Sequence, residues 1–164
     1  MSRTVIRAAE PHDVGLIDAF LCHLADALGE QHAYRADREA LAAHGFGDDR
    51  LFHTLLAEHD QHPVGMCISF PEFSTWRGEP GVFIQDLVVS ENLRGAGIGR
   101  RLLSTALRNG RDDWGARYLR LSVGVSNHAG IDFYDRLGMV ADHDNRAMLL
   151  ADDAAVRLIE HGDS

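Results

Sequence analysis

The sequence predicts a mixed α/β fold, a largely β sheet covered by helices, and three observations predict it. Strand-like runs crowd the first half, at 51–58, 64–70 and 82–90, with a polar turn at 59–63 that suggests a hairpin. Strand and helix then alternate through the second half. Where helices are expected, apolar residues recur at helical spacing, as at Ile17, Phe20, Leu21, Leu24 and Leu28. A hairpin-rich front joined to alternating strands and helices gives a mixed sheet with helical cover.

Taken in order, residues 4–8 read as a short strand. Pro11 and Asp13 then open a helix. A second helix is expected at 37–44, with Asp37 as its N-cap and Gly45 as its stop. The two strands at 51–58 and 64–70 follow, then a loop at 71–81 that contains Pro and Gly. The run 82–90 is the most apolar strand, and its β-branched and aromatic content favours strand over helix. The turn Arg94-Gly-Ala-Gly-Ile-Gly99 leads into a helix expected to end near Asn109 because Gly110 follows. A strand at 118–125, a helix at 127–137 stopped by Gly138, a last strand at 147–150 and a helix at 154–161 complete the order. No linker, repeat or low-complexity segment interrupts it, so residues 1–164 are expected to form a single domain.

Composition narrows the function classes. At 164 residues and 45% hydrophobic content, the chain can bury a core of its own. Its net charge of −9 argues against a nucleic-acid partner, which needs clustered basic groups. The same charge suits a cationic amine. No apolar run approaches the ~18 residues that span a membrane, and the first seven residues lack the apolar core of a signal peptide, so a cytoplasmic location is expected. Cys22 and Cys67 have no partner spacing, and no histidine or cysteine cluster has metal-ligand spacing, so no metal is expected.

The glycine turn carries the chemistry. Arg94-x-x-Gly97-x-Gly99 stands where a strong strand hands over to an amphipathic helix (Ile98, Leu102, Leu103, Ala106, Leu107). Amides at a helix N-terminus are unpaired and carry the positive end of the dipole, so they bind pyrophosphate. Glycine lets the main chain approach phosphate closely, and Arg94, Arg100 and Arg101 add charged donors. A dinucleotide fold would need G-x-G-x-x-G and an acidic residue closing the next strand, and neither is present. A P-loop would need lysine, and all sixteen basic residues are arginine.

With that turn, the chain resembles the GNAT acetyltransferase superfamily, marked by Gln/Arg-x-x-Gly-x-Gly/Ala after the fourth strand. The stretch Ser126-Asn127-His-Ala129 through Phe133-Tyr134 to Gly138-Met139 is similar to the family's segment after the fifth strand. Val5-Ile-Arg7, His44-Gly-Phe-Gly47, Phe52-His53, Leu56-Ala-Glu58 and Gln85-Asp-Leu-Val-Val89 resemble the polyamine and thialysine acetyltransferases in particular.

The resemblance implies a mostly antiparallel sheet with splayed fourth and fifth strands, acetyl-CoA as donor, a small-molecule amine as acceptor, direct transfer in a ternary complex, and a homodimer. Leu87, Val88 and Val89 would pair with the pantetheine amides. Arg94, Gly95, Ala96, Gly97, Ile98, Gly99 and Arg100 would hold the pyrophosphate, and Asn127 and Ala129 would touch the far side of the CoA arm. Tyr134 would be the general acid, since a phenol stays protonated at neutral pH and can serve a departing thiolate. Asp86 would bind or deprotonate the amine, with His53 as the alternative base. Polyamine enzymes carry Glu where Gln85 stands and Tyr-Glu where Ala27-Leu28 stand, so with Gln85 beside Asp86 a single-amine substrate is expected over spermidine. Protein or aminoglycoside acetylation, and a non-catalytic acyl-CoA sensor, are the alternatives on the same fold.

Overall fold

The computed structural model describes residues 3–142 and 147–161. These fall into two compact units, Met1–Gly124 and Val125–Ser164. In the first unit, β1 (Thr4–Ala8), β2 (His53–His59), β3 (His62–Ser74), β4 (Glu79–Val89) and β5 (Tyr118–Leu121) pair in chain order. All neighbours are antiparallel except β4 and β5, which run parallel. The sheet is therefore mixed and mostly antiparallel, as expected.

The β2–β3 hairpin closes tightly. Asp60 and Gln61 both adopt positive φ, 49° and 67°, the backbone twist that two-residue hairpin turns require. Asp60 is fixed there because its side chain accepts a hydrogen bond from the Arg3 amide at 2.9 Å. The expected loop at 71–81 is mostly strand instead: β3 continues to Ser74 and β4 begins at Glu79. Pro71 is tolerated in β3 because β2 ends its pairing at His53↔Ser69, so beyond that point β3 has a ladder only on its β4 side.

Two helices lie against one sheet face, α1 (Val14–Leu28) and α2 (Arg38–Gly45). Ile17 and Leu41 from these helices join Leu56, Met66, Ile68 and Val88 in one buried cluster. Asp37 caps α2 by accepting from the Ala40 amide at 2.8 Å. The entry to α1 is held by Asp13, which receives Arg7 at 2.7 Å and the Glu10 amide at 2.8 Å. Arg7 also donates to Glu58 at 2.8 Å, so β1, β2 and the start of α1 are tied at one point.

The other face carries α3 (Ile98–Trp114). This helix runs past Gly110, where it was expected to stop, and ends at Gly115 with φ 76°. Gly110 is a packing residue. A β-carbon there would collide with Val82 Cγ2 and come within 2.8 Å of Trp114 Cζ2, so glycine lets α3 lie close on β4.

The second unit holds α4 (His128–Arg136), capped by Asn127 and followed by Gly138 at φ 87°, and α5 (Asp152–His161). The strand expected at 147–150 is absent. Met148 and Leu149 are largely exposed there, and an apolar run without a partner strand forms no ladder.

Candidate active site

The site begins with a break in the β4–β5 ladder. The parallel pairing covers only Gly81↔Tyr118 to Ile84↔Leu121, and β5 ends there, although it was expected to reach 125. Beyond Ile84, β4 runs on through Gln85, Asp86, Leu87, Val88 and Val89 with β3 on one side and no ladder to β5 on the other. This is the expected splay. Half the main-chain groups along that stretch are left for another partner.

Gln85 marks the break. Ile68 pairs with Asp86 and Ser69 with Ile84, so Gln85 is the extra residue of a β-bulge. The bulge switches the alternation. Val82, on the near side of it, lies beneath Gly110 of α3, whereas Asp86 and Val88, on the far side, share the face covered by α1 and α2. Gln85 itself is exposed and Asp86 is partly buried. Burial pushes the Asp86 carboxyl above the usual carboxylate range. Neighbouring Cys67 is pushed up to about 12, chiefly by burial and further by Asp86, so it is a packed thiol and no nucleophile.

The glycine turn follows within a few residues. Gly95 and Gly97 have φ of 84° and 78°, and a β-carbon at either would meet open space. Ile98 is buried and anchors the start of α3, while Arg94, Gly95, Ala96, Gly97 and Arg100 are exposed. The first-turn amides of Ile98, Gly99 and Arg100 have no carbonyl within the helix to bond. Open glycines, unpaired amides at the end of a 17-residue helix and an adjacent arginine fit a pyrophosphate. Arg94 Nε rests 3.4 Å from the Val89 carbonyl, which draws its side chain back toward the end of β4. Arg101 has another task, donating to the Thr4 carbonyl at 2.9 Å, and so ties α3 to β1.

Asn127, Ala129 and Tyr134 belong to the second unit. Asn127 uses its side-chain oxygen to cap α4, accepting from the Gly130 amide at 3.0 Å, and Ala129 is exposed in the first turn. Tyr134 is partly buried on α4, its ring centroid 5.1 Å from that of Phe133.

His53 does not join Asp86. It pairs with Ser69 in register, and its ring lies 5.4 Å from that of Trp114 on α3, on the opposite face of the sheet. Burial lowers its pKa, which suits a packed neutral imidazole.

A cluster with no sequence signature stands at the α1–α2 side. Asp18 accepts from the Tyr34 hydroxyl at 2.9 Å and from Arg38 Nε at 3.1 Å. Three residues so far apart in sequence share no motif, and only the path of the chain between α1 and α2 brings them together. Among the described residues, no group of three or more potential ligands could hold a metal ion, and no helix is long and apolar enough to cross a membrane.

The profile of the Acetyltransferase (GNAT) family matches residues 18–139, which include the bulge, the glycine turn and α4. The chain belongs to the GNAT acetyltransferase family. It is accordingly an acyltransferase. A Bos taurus thialysine N-epsilon-acetyltransferase is 32% identical over 146 residues, covering 84% of this chain and 85% of that protein. An aminoalkylphosphonate N-acetyltransferase of Salmonella typhimurium is 32% identical over 142 residues, covering 84% and 86%. A solved integron cassette protein from the mobile metagenome of V. cholerae shares the fold, with a TM-score of 0.75 at 19% identity over 96% and 98% of the two chains.

Proposed function

We propose that this GNAT acetyltransferase moves an acetyl group from acetyl-CoA to a primary amine on a small molecule, by direct attack within a ternary complex. The observation that carries the reading is the unladdered edge of β4. It runs from the bulge at Gln85 past Asp86 and leads directly to the glycine turn. Donor and acceptor groups of Leu87, Val88 and Val89 on that edge would take the amides of a pantetheine arm. Gly95, Ala96, Gly97, Ile98, Gly99, Arg94 and Arg100 would hold the pyrophosphate, and Asn127 and Ala129 would flank the arm. Acetyl-CoA supplies the activated thioester.

Asp86 binds the incoming ammonium and takes up its proton, directly or through water. Tyr134 holds a proton for the departing sulfur. The relatives named above act on thialysine and on aminoalkylphosphonates, small molecules bearing an amine, which supports that acceptor class over a protein or an aminoglycoside. The family resemblance also carries a homodimer. Initial rates with both substrates varied test the order of events. Intersecting reciprocal plots are expected for a ternary complex, and parallel lines would mean a covalent acetyl-enzyme.

A further inference from the structure

We propose that Tyr34 is a second acceptor for the substrate's ammonium, working beside Asp86, and that Asp18 and Arg38 aim it. The inference rests on the amine-acetylation reading and adds a residue to the acceptor end of that site.

Placement comes from the sheet. Asp86 pairs with Ile68 and shares a face with Ile68, Met66 and Val88, the cluster into which Ile17 of α1 packs. Asp18 is the next residue of that helix and keeps only 20% of its side-chain surface exposed. Tyr34 enters from the segment between α1 and α2, and its hydrogen bond to Asp18 ties it to α1, the helix packed on the sheet face that Asp86 shares.

Hydrogen-bond arithmetic then fixes what Tyr34 can do. A phenol owns one proton. Here that proton goes to Asp18 Oδ1, 2.9 Å away. Arg38 Nε donates to the other carboxylate oxygen, so Asp18 stays ionised and its orientation is set from the far side. With its proton committed, the Tyr34 oxygen meets any further group only as an acceptor. An alkylammonium carries three N–H donors, more than one carboxylate oxygen can use, and the Tyr34 oxygen takes one that Asp86 leaves. Burial, and after it Asp18 and Asp86, keeps the phenol protonated, so it remains a neutral acceptor. Arg38 balances Asp18, so the trio adds direction without adding net charge beside Asp86. Tyr34 contacts substrate in this scheme, and Asp18 and Arg38 are positioning residues.

The test varies the amine at saturating acetyl-CoA. Tyr34→Phe should raise the amine KM by about 10- to 100-fold, the worth of one hydrogen bond to a charged group, with kcat and the acetyl-CoA KM nearly unchanged. Asp18→Ala should raise the same KM, and the double variant should be no worse than Tyr34→Phe alone, because Asp18 acts through Tyr34. An unchanged amine KM in Tyr34→Phe overturns the assignment, as do penalties that simply add in the double variant. If the unsubstituted enzyme releases no thiol with any primary amine, the acetylation reading falls and takes this inference with it. If that enzyme is active and only the Tyr34 effect is missing, the reading stands and Tyr34 alone is withdrawn.

Discussion

Tyr134→Phe deletes one hydroxyl and leaves the ring that meets Phe133, so the packing of α4 should survive. If Tyr134 is the general acid, kcat should fall by about 10²–10⁴-fold while acetyl-CoA affinity holds, as calorimetry and steady-state rates can establish together. A loss of less than about threefold would give the proton to another donor. Asp86 makes a different demand. If it is the base, its carboxyl must be ionised to act, and because burial raises its pKa the acid limb of kcat/KM should lie above the ordinary aspartate range of about 4. Asp86→Asn should abolish that limb and harm every amine. The stability sign is opposite. A carboxyl raised in the folded state costs stability as pH climbs through the unfolded value toward the folded one, so the same variant should melt no lower than the parent at neutral pH. Tyr134 and Asp86 were both visible as motif positions. Tyr34 was not, because its meaning lies in a hydrogen bond to Asp18, sixteen residues away and on another element.

Among the elements, α3 shows what glycine spacing can and cannot reveal. The turn at Arg94–Gly99 was legible because three alternate glycines before an amphipathic run have few other uses. Gly110 was misread as a stop because helix ends and tight helix–sheet contacts both select glycine, and only the position of Val82 beneath it separates the two. Pro71 misled in the same way, since its tolerance depends on where β2 ends. The bulge at Gln85 and the short β5 follow from pairing with neighbours and leave no local trace. Gly97→Val tests the turn. A branched residue at φ 78° should cost about 1–2 kcal/mol of stability and also block the pyrophosphate, so calorimetry should find no acetyl-CoA binding in a protein that still folds. Asp13 tests the joint between β1 and α1. Arg7 holds its carboxyl down at about 2, so its contribution is complete above the unfolded value of 3.8 and lost as pH falls through about 2. Asp13→Asn should therefore cost about 2 kcal/mol near neutral pH, and the two melting curves should converge by about pH 2.

At the scale of the molecule, the order of strands and helices was legible almost throughout, since period and turn residues are local properties. The expected strand at 147–150 failed because a strand needs a neighbour, which no local pattern supplies. The proposed acceptor rests on three features together: a partly buried carboxylate at Asp86, neutral Gln85 at the bulge, and Ala27-Leu28 where the polyamine enzymes carry an acidic and aromatic pair. Each missing carboxylate removes a charge-assisted contact worth roughly 1.5–3 kcal/mol, which together should cost a polyamine about a hundredfold or more in affinity. The most direct test is thiol release from saturating acetyl-CoA across monoamines, a lysine analogue, diamines, spermidine and spermine. The highest kcat/KM is expected for a small monoamine or the lysine analogue, with Gln85→Glu raising polyamine turnover selectively. Preference for spermine, or no amine-dependent thiol release at all, would contradict it.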